Sequence, residues 1–396
     1  MKAGSNTVIF ILTFGVFSII NTEMGVIGLL PLIADAYNVD ISAAGLLVSL
    51  FALAVAVSGP VLPLIMSGFN RKYVLSAVLA VFFICNLIAA FAQDFTLLLI
   101  VRVLPAFLHP VYVSLAFSAA AASVSREDMQ KATAKVMAGV SAGMVLGVPV
   151  MSRTAEVFSL QSAMLVFAAV NAAAFLAVLL GIPSMPKTSK ISYGSQLKVL
   201  KDKNVLFSFA AVICLNGGIF GVFSYMADYL QRVIHLAPQI VSIMLLIYGI
   251  ANIAGNIIAG RLLARRPLKV IYLFPIAVSA LYIVMFCSNS ATGLWLTMLF
   301  MLVWGILSGI NANVNQYLMT SSALNAPDFA NALFLVAANV GTSIGSLICG
   351  AVITHMGINL ILLGGIAFFA GGMFFIRCRY QNSIQITDDE KSLLER

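Results

Sequence analysis

Charge is what this chain has least of. Only 9% of its 396 residues are Asp, Glu, Lys or Arg, against 61% hydrophobic, and so few polar side chains cannot cover a soluble globule of this size. A soluble fold is excluded, and an integral membrane protein is indicated. Enzyme motifs are missing as well: no Walker A loop, nucleophile elbow or zinc-binding HExxH occurs. No catalytic activity, cofactor or metal is therefore expected, and any work the chain does must draw on a gradient. Cys85, Cys214, Cys287, Cys349 and Cys378 lie in or at the ends of separate apolar runs without metal-ligand spacing, which argues for packing rather than a disulfide framework. The first apolar run is too long for a signal-peptide core and no small-residue cleavage pattern follows it, so it is expected to be retained.

What the chain does have is a series of apolar runs of membrane-spanning length, each closed by a short polar turn, the hydropathy signature of a polytopic helical bundle. The expected spans are Thr7–Leu32, Ala43–Met66, Val74–Ala92, Phe95–Ala116, Val136–Ala155, Ala163–Ile182, Val205–Ala227, Gln239–Leu263, Val270–Cys287, Gly293–Tyr317, Ala330–Ile353 and Leu360–Ile376. The formal charge of +8 does not call for a nucleic-acid partner. All but Arg102, Arg153 and Arg232 of the 22 Lys and Arg residues fall on one side of this twelve-span layout, while Asp35, Asp40, Asp94 and Glu156 mark the other. The positive-inside rule then puts both termini in the cytoplasm.

The longest polar interruption, Pro183 to Asn204, splits the spans into two sets of six. GMVLGVP in the fifth span and GTSIGSLICG in the eleventh fall at the same place in their halves, and GFNRK after the second span is mirrored by GRLLARRPLK after the eighth. Repeated halves with a site between them are the common plan of secondary transporters. The units are expected at 1–182, 183–204 (a cytoplasmic linker), 205–376 and 377–396 (a cytoplasmic tail, frayed rather than helical from Thr387).

The stretch TEMGVIGLLPLIADAYNVDISAAGLLVSLFALAVAVSGP, from Thr22 to Pro60, together with Gly139 to Pro149, resembles bacterial major facilitator superfamily exporters of the drug:proton antiporter-1 family, most of all its arabinose and sugar-efflux permeases. The resemblance implies a twelve-helix all-α membrane fold of two pseudo-twofold halves, with helices 1, 4, 7 and 10 around a central cavity. It also assigns gating to the loop after helix 2, where Arg71 and Lys72 are kept but Ser67 stands at the family's aspartate. In the second copy Arg265 is kept, and Ala264 stands at the acidic position. Neither loop has the carboxylate that family members use at the inner gate. Gly139, Gly143 and Gly147, followed by Pro149, resemble the antiporter motif of the exporters. Spaced by four, the glycines share one helix face, and are read either as a sliding contact between the halves or as ordinary tight packing. Gly341 and Gly345 invite the same two readings.

Glu23 is the costliest choice in the chain, a carboxylate inside the apolar run from Thr7 to Leu32, where ionised groups normally face a wet cavity or a partner. At 1.5 Å of rise per residue it lies roughly 24 Å from the Thr7 end, and Arg102 lies roughly 10 Å in from the opposite end of its own span. In a core about 30 Å thick the two fall at similar depth, and they are expected to pair, either as a static structural ion pair or in a pairing that exchanges with a proton or substrate. His109, two helical turns after Arg102, shares its face and is either a proton relay or a neutral interhelix bond. Pro110 after it is expected to bend the helix. Asp228 is read as a second protonation site, a gate residue or, most simply, a solvated helix end. Candidate substrate contacts are Asn21, Tyr112, Asn216, Phe220, Tyr225, Trp304, Asn311 and Asn315, amides and aromatics suited to a polar neutral ligand, although amides serve equally as interhelix bonds.

The expectation is a monomeric exporter in the bacterial inner membrane, moving a small molecule, sugar or drug-like, in exchange for protons by alternating access. Its partners are that substrate, protons and the lipid bilayer. The alternatives are a uniporter or importer on the same fold, and a non-transporting sensor signalling through its tail.

Overall fold

A computed structural model describes residues 4–66, 68–184, 201–288, 293–323 and 327–394. Twelve helices among them are long and apolar enough to cross a membrane: α1 Ser5–Tyr37, α2 Ile41–Ser58, α3 Arg71–Ala90, α4 Phe95–Ala122, α5 Lys131–Val157, α6 Leu160–Gly181, α7 Lys203–Phe223, α8 Pro238–Arg265, α9 Pro267–Ser288, α10 Leu294–Ser322, α11 Ala330–Met356 and α12 Ile358–Asn382. Number and order agree with the hydropathy reading. Helix starts follow from side chains that accept orphan backbone N–H groups: Asn70 from Lys72, Asp94 from Leu97, Ser159 from Ser162 and Asp202 from Asn204. The last helix continues to Leu394 rather than fraying, because no glycine or proline interrupts residues 377–394. Ser67 and residues 185–200 of the expected linker lie outside the described residues.

Several of the spans are broken, and the breaks set the geometry of the interior. In α1 the α-helix Ser5–Gly25 gives way to a 3-10 turn, Val26–Leu29, before Leu30–Tyr37 resumes with Pro31 near its start. In α4 the pieces Phe95–Ala106 and His109–Ala122 meet at a two-residue turn, with Pro105 at the end of the first and Pro110 near the start of the second. A proline contributes no N–H to the ladder and collides with the carbonyl four residues back, so the bend anticipated at Pro110 is a full interruption.

The glycines spaced by four pack helices within each half. A Cβ on Gly143 would sit 2.7 Å from the Ile20 Cβ, while Gly139 faces Thr13 and Gly147 faces Asn21 and Gly25, so α5 lies directly on α1. Gly341 and Gly345 bring α11 onto Ile213 and Gly217 of α7 in the same manner, the pseudo-twofold copy of the α1–α5 contact. The expected sliding contact between halves is therefore not made by these glycines; small residues here allow close approach of neighbours in one half. The halves meet through other surfaces, α2 with α11 and α5 with α8, where Gly249 lies against Val145.

An even number of crossings leaves both termini at one end of the bundle, and the two ends are not alike. At the end away from the termini a continuous apolar core joins the halves, running from Val26–Ile33, Val48 and Phe167 into Phe223, Met226, Tyr229 and Val241. Toward the termini the first half has a separate core of its own, Val8–Ile20 with Leu75–Phe82 and Val111–Ala120. Leu62–Met66, the continuation of α2 at that end, has no buried residue. The halves thus share one core at the far end, while at the end that carries the termini the first half keeps a core of its own.

Candidate functional site

The site grows from the break in α1. The last carbonyls of an α-helix have no partner in their own ladder, and the helix dipole favours a cation there. Arg102 from α4 fills that role: its Nη2 donates to the carbonyls of Thr22 and, at 3.0 Å, of Glu23. The guanidinium is buried between the rings of Phe51 and Phe167, 5.1 and 5.9 Å from their centroids. Behind it Thr22 Oγ1 accepts from Asn171 Nδ2 at 2.8 Å and from Asn86 Nδ2 at 3.3 Å. Thr22, Asn86 and Asn171 were not singled out from the sequence. The available signal was a single asparagine in an otherwise apolar span, once in α3 and once in α6.

The expected pairing of Glu23 with Arg102 is not a direct ion pair: the carboxylate charge still acts on the guanidinium, but no ion-pair contact joins the two groups. The two lie at the same level, but Arg102 holds main-chain oxygen, and the Glu23 carboxylate faces His109, with Oε2 3.1 Å from Nε2. Neither ring nitrogen has an aligned hydrogen-bond partner, so the contact is one of charge and proximity. Both side chains retain slight exposure, 13% for Glu23 and 11% for His109. Leu97, Ile100, Leu104 and Phe107 carry the exposed face of α4, opposite the face shared by Arg102 and His109, so the pair lies on the inward side of that helix. His109 also opens the second piece of α4, which places this contact at the hinge of that helix.

In the second half Asn216, Asn311 and Asn315 are brought together. Asn216 Nδ2 donates to the Ala338 carbonyl (2.6 Å) and to Thr342 Oγ1 (2.8 Å), Asn311 donates to Asn216 Oδ1 (3.2 Å), and Asn315 to Asn311 Oδ1 (3.2 Å). All three are buried, which makes them a seam between α7, α10 and α11 in this conformation rather than an open lining. Trp304 is likewise enclosed, packed on Phe223, Tyr248 and Tyr282. Tyr112 is buried against Gly15, and Asn21 is buried against the α5 glycines. Of the proposed contacts only Phe220 is partly open.

Tyr225 and Asp228 belong to the far-end closure. The Tyr225 hydroxyl donates to the Ser346 carbonyl at 3.0 Å and sits where a Cβ on Gly45 of one half or Gly350 of the other would be. Beside it Thr354 Oγ1 donates to Ser42 Oγ at 2.8 Å across the halves. At the other end Arg71 Nη2 donates to Ser118 Oγ at 2.9 Å, within its own half, and Lys72 and Arg265 lie near helix ends. Pro149 is accommodated inside α5 without ending it. Among the described residues no group of three or more His, Cys, Asp or Glu side chains gathers at metal-binding distance.

Comparison with known proteins places this geometry in context. The profile of the Major Facilitator Superfamily matches residues 12–345. The chain is 32% identical over 362 residues to the uncharacterized MFS-type transporter YtbD of Bacillus subtilis (strain 168), covering 90% of this chain and 91% of that one. It is 26% identical over 369 residues to a probable sugar efflux transporter of Helicobacter pylori (strain P12), covering 93% and 94%. The crystal structure of the nucleoside transporter NupG superposes with a TM-score of 0.78 at 16% identity, over 95% of this chain and 98% of that one; at that identity the likeness is one of fold.

Proposed function

This chain belongs to the Major Facilitator Superfamily, and from that premise we propose that it is a proton-coupled exporter of a small polar organic molecule. In this reading both termini are cytoplasmic and the structure is the inward-open state. The observation that carries it is the carboxylate–imidazole contact of Glu23 and His109, 3.1 Å apart on the inward side of α4 at its hinge. An imidazole changes charge near neutral pH, so a proton on the pair is held or lost with the charge around it. Arg102 takes no proton itself; bound to the Thr22 and Glu23 carbonyls, it holds the broken end of α1 so that the Glu23 side chain is aimed at His109. A substrate hydroxyl entering from the open end competes with His109 for the carboxylate, and the proton leaves as substrate binds. In the opposite state the order reverses, which couples outward substrate movement to inward proton movement.

A sugar or polyol is the substrate class favoured by this competition and by the likeness to the probable sugar efflux transporter of Helicobacter pylori; the runner-up is a drug-like compound. The test is flux in proteoliposomes under an imposed pH gradient, over a panel of sugars and lipophilic drugs. Glu23→Gln and His109→Gln are expected to lose gradient-driven flux while still binding substrate. Full flux in Glu23→Gln, or wild-type flux indifferent to the gradient, removes the coupling and leaves a uniporter or importer on this fold. A sensor that signals through its tail is separated by deleting residues 387–396, which leaves an exporter active.

A further inference from the structure

Beyond α7 the chain turns and forms the short helix Met226–Arg232, which packs on Leu30–Tyr37 of the opposite half. Asp228 sits on this helix, and in place of the solvated helix end that sequence favoured it is 2% exposed, among the buried Met226, Tyr229 and Leu230. Its Oδ1 accepts from Arg232 Nε at 2.7 Å, while Oδ2 is buried with no partner. An ionised carboxylate with one oxygen unsolvated is disfavoured there. Across the seam the facing charged group is Asp35, of like sign but itself exposed and the weakest influence on Asp228. The other elements packed here add no compensation, since α8 has no charged residue before Arg261 and α7 none after Lys203. Arg232 itself is more than half exposed, so much of its charge is spent on water.

We propose that Asp228 is the proton-binding site of the far-end gate: the gate closes over this carboxyl in its protonated form and opens as it ionises. The inference rests on alternate opening of the two ends and not on coupling at Glu23. Burial raises the Asp228 carboxyl above the ordinary carboxylate range, Arg232 opposes that rise and Asp35 adds to it. When the gate opens, water reaches the carboxyl and the value falls back. The closed form thus binds the proton more tightly. Closure is favoured in full below the open-state pKa, and the bias is lost as pH rises through the closed-state pKa. Tyr225, packed between Gly45 and Gly350 three residues earlier, closes the seam at the same stroke.

The experiment is a pulsed spin-label distance measurement in lipid nanodiscs, without substrate or gradient, between labels at Phe158→Cys and Met356→Cys, exposed far-end positions of opposite halves, with the native cysteines replaced. As pH falls through the raised closed-state value of Asp228 the closed-to-open ratio is expected to rise, by up to about tenfold for each pKa unit separating the two states. Asp228→Asn is expected to remain closed at every pH, and Glu23→Gln to keep the wild-type response. Arg232→Gln, altering only an exposed side chain, is expected to move the midpoint upward even if Asp228→Asn does not fold. A wild-type distance that ignores pH, an unmoved midpoint in Arg232→Gln, a response preserved in Asp228→Asn, or one abolished by Glu23→Gln overturns the assignment. Because no transport is measured, failure of the exporter reading leaves these outcomes unchanged.

Discussion

Arg102 gives the sharpest test of how the interior is built. Substituting Arg102→Met keeps a similar bulk between Phe51 and Phe167 but removes both donors to the α1 carbonyls. Hydrogen bonds to a charged group are worth about 1.5–3 kcal/mol each. Part of that sum is offset because a buried cation no longer has to be desolvated. The net loss is then about 3 kcal/mol, with the Thr22 and Glu23 carbonyls left unpaired. Glu23→Gln leaves the guanidinium on its carbonyls, removes only a carboxylate charge that lies beyond ion-pair contact, and is expected to cost less than about 1 kcal/mol. Had Arg102 been the counter-ion of the Glu23 carboxylate, Glu23→Gln would strand a buried cation at about 3–5 kcal/mol. Thermal unfolding in detergent, followed by Trp304 fluorescence in its aromatic cluster, separates the two. Arg102→Met is expected to melt on the order of 5 °C lower and Glu23→Gln within about 2 °C of wild type. Equal losses in both variants refute the carbonyl assignment.

Other outcomes follow from the packing. Gly143→Leu drives a side chain into Ile20 and is expected to cost about 1–3 kcal/mol or more by overpacking, read as a lower melting temperature with α1 displaced from α5. Gly45→Ala puts a methyl group in the place of the Tyr225 hydroxyl; the far end should close less readily, seen as a longer label distance there at every pH. Asn216→Ala removes the donor to Ala338 and Thr342 and the acceptor for Asn311 and is expected to lower stability by about 1–2 kcal/mol. Substrate affinity in that variant should stay within about threefold of wild type; a hundredfold loss of affinity with unchanged melting would instead make Asn216 a substrate contact.

Sequence reading carried furthest where lipid imposes a one-dimensional constraint. A span must be apolar over a fixed length, its ends carry caps and sided charge, and a carboxylate within it needs company. Hence the twelve helices, the two halves and the attention to Glu23, Arg102 and His109 were all available from residue order. The rise per residue even set Glu23 and Arg102 at one level.

Depth along a helix is local, but direction around it is not. Which way Arg102 and Glu23 point depends on the 3-10 turn at Val26–Leu29 and the interruption before His109, and those bends gave the guanidinium to main-chain oxygen and the carboxylate to an imidazole. The same holds for the amides of α7 and α10: their four-residue spacing marked a shared face, yet only the packing against Ala338 and Thr342 made that face a seam. Asp228 and Tyr225 lie beyond the reach of periodicity, since their burial depends on two halves meeting across residues far apart in the chain. Residue order determined the spans and their polar exceptions, because each is a property of one helix in lipid. The tertiary structure decided the partners, because a side chain's neighbour is set by the bend and crossing of helices that no single stretch of sequence contains.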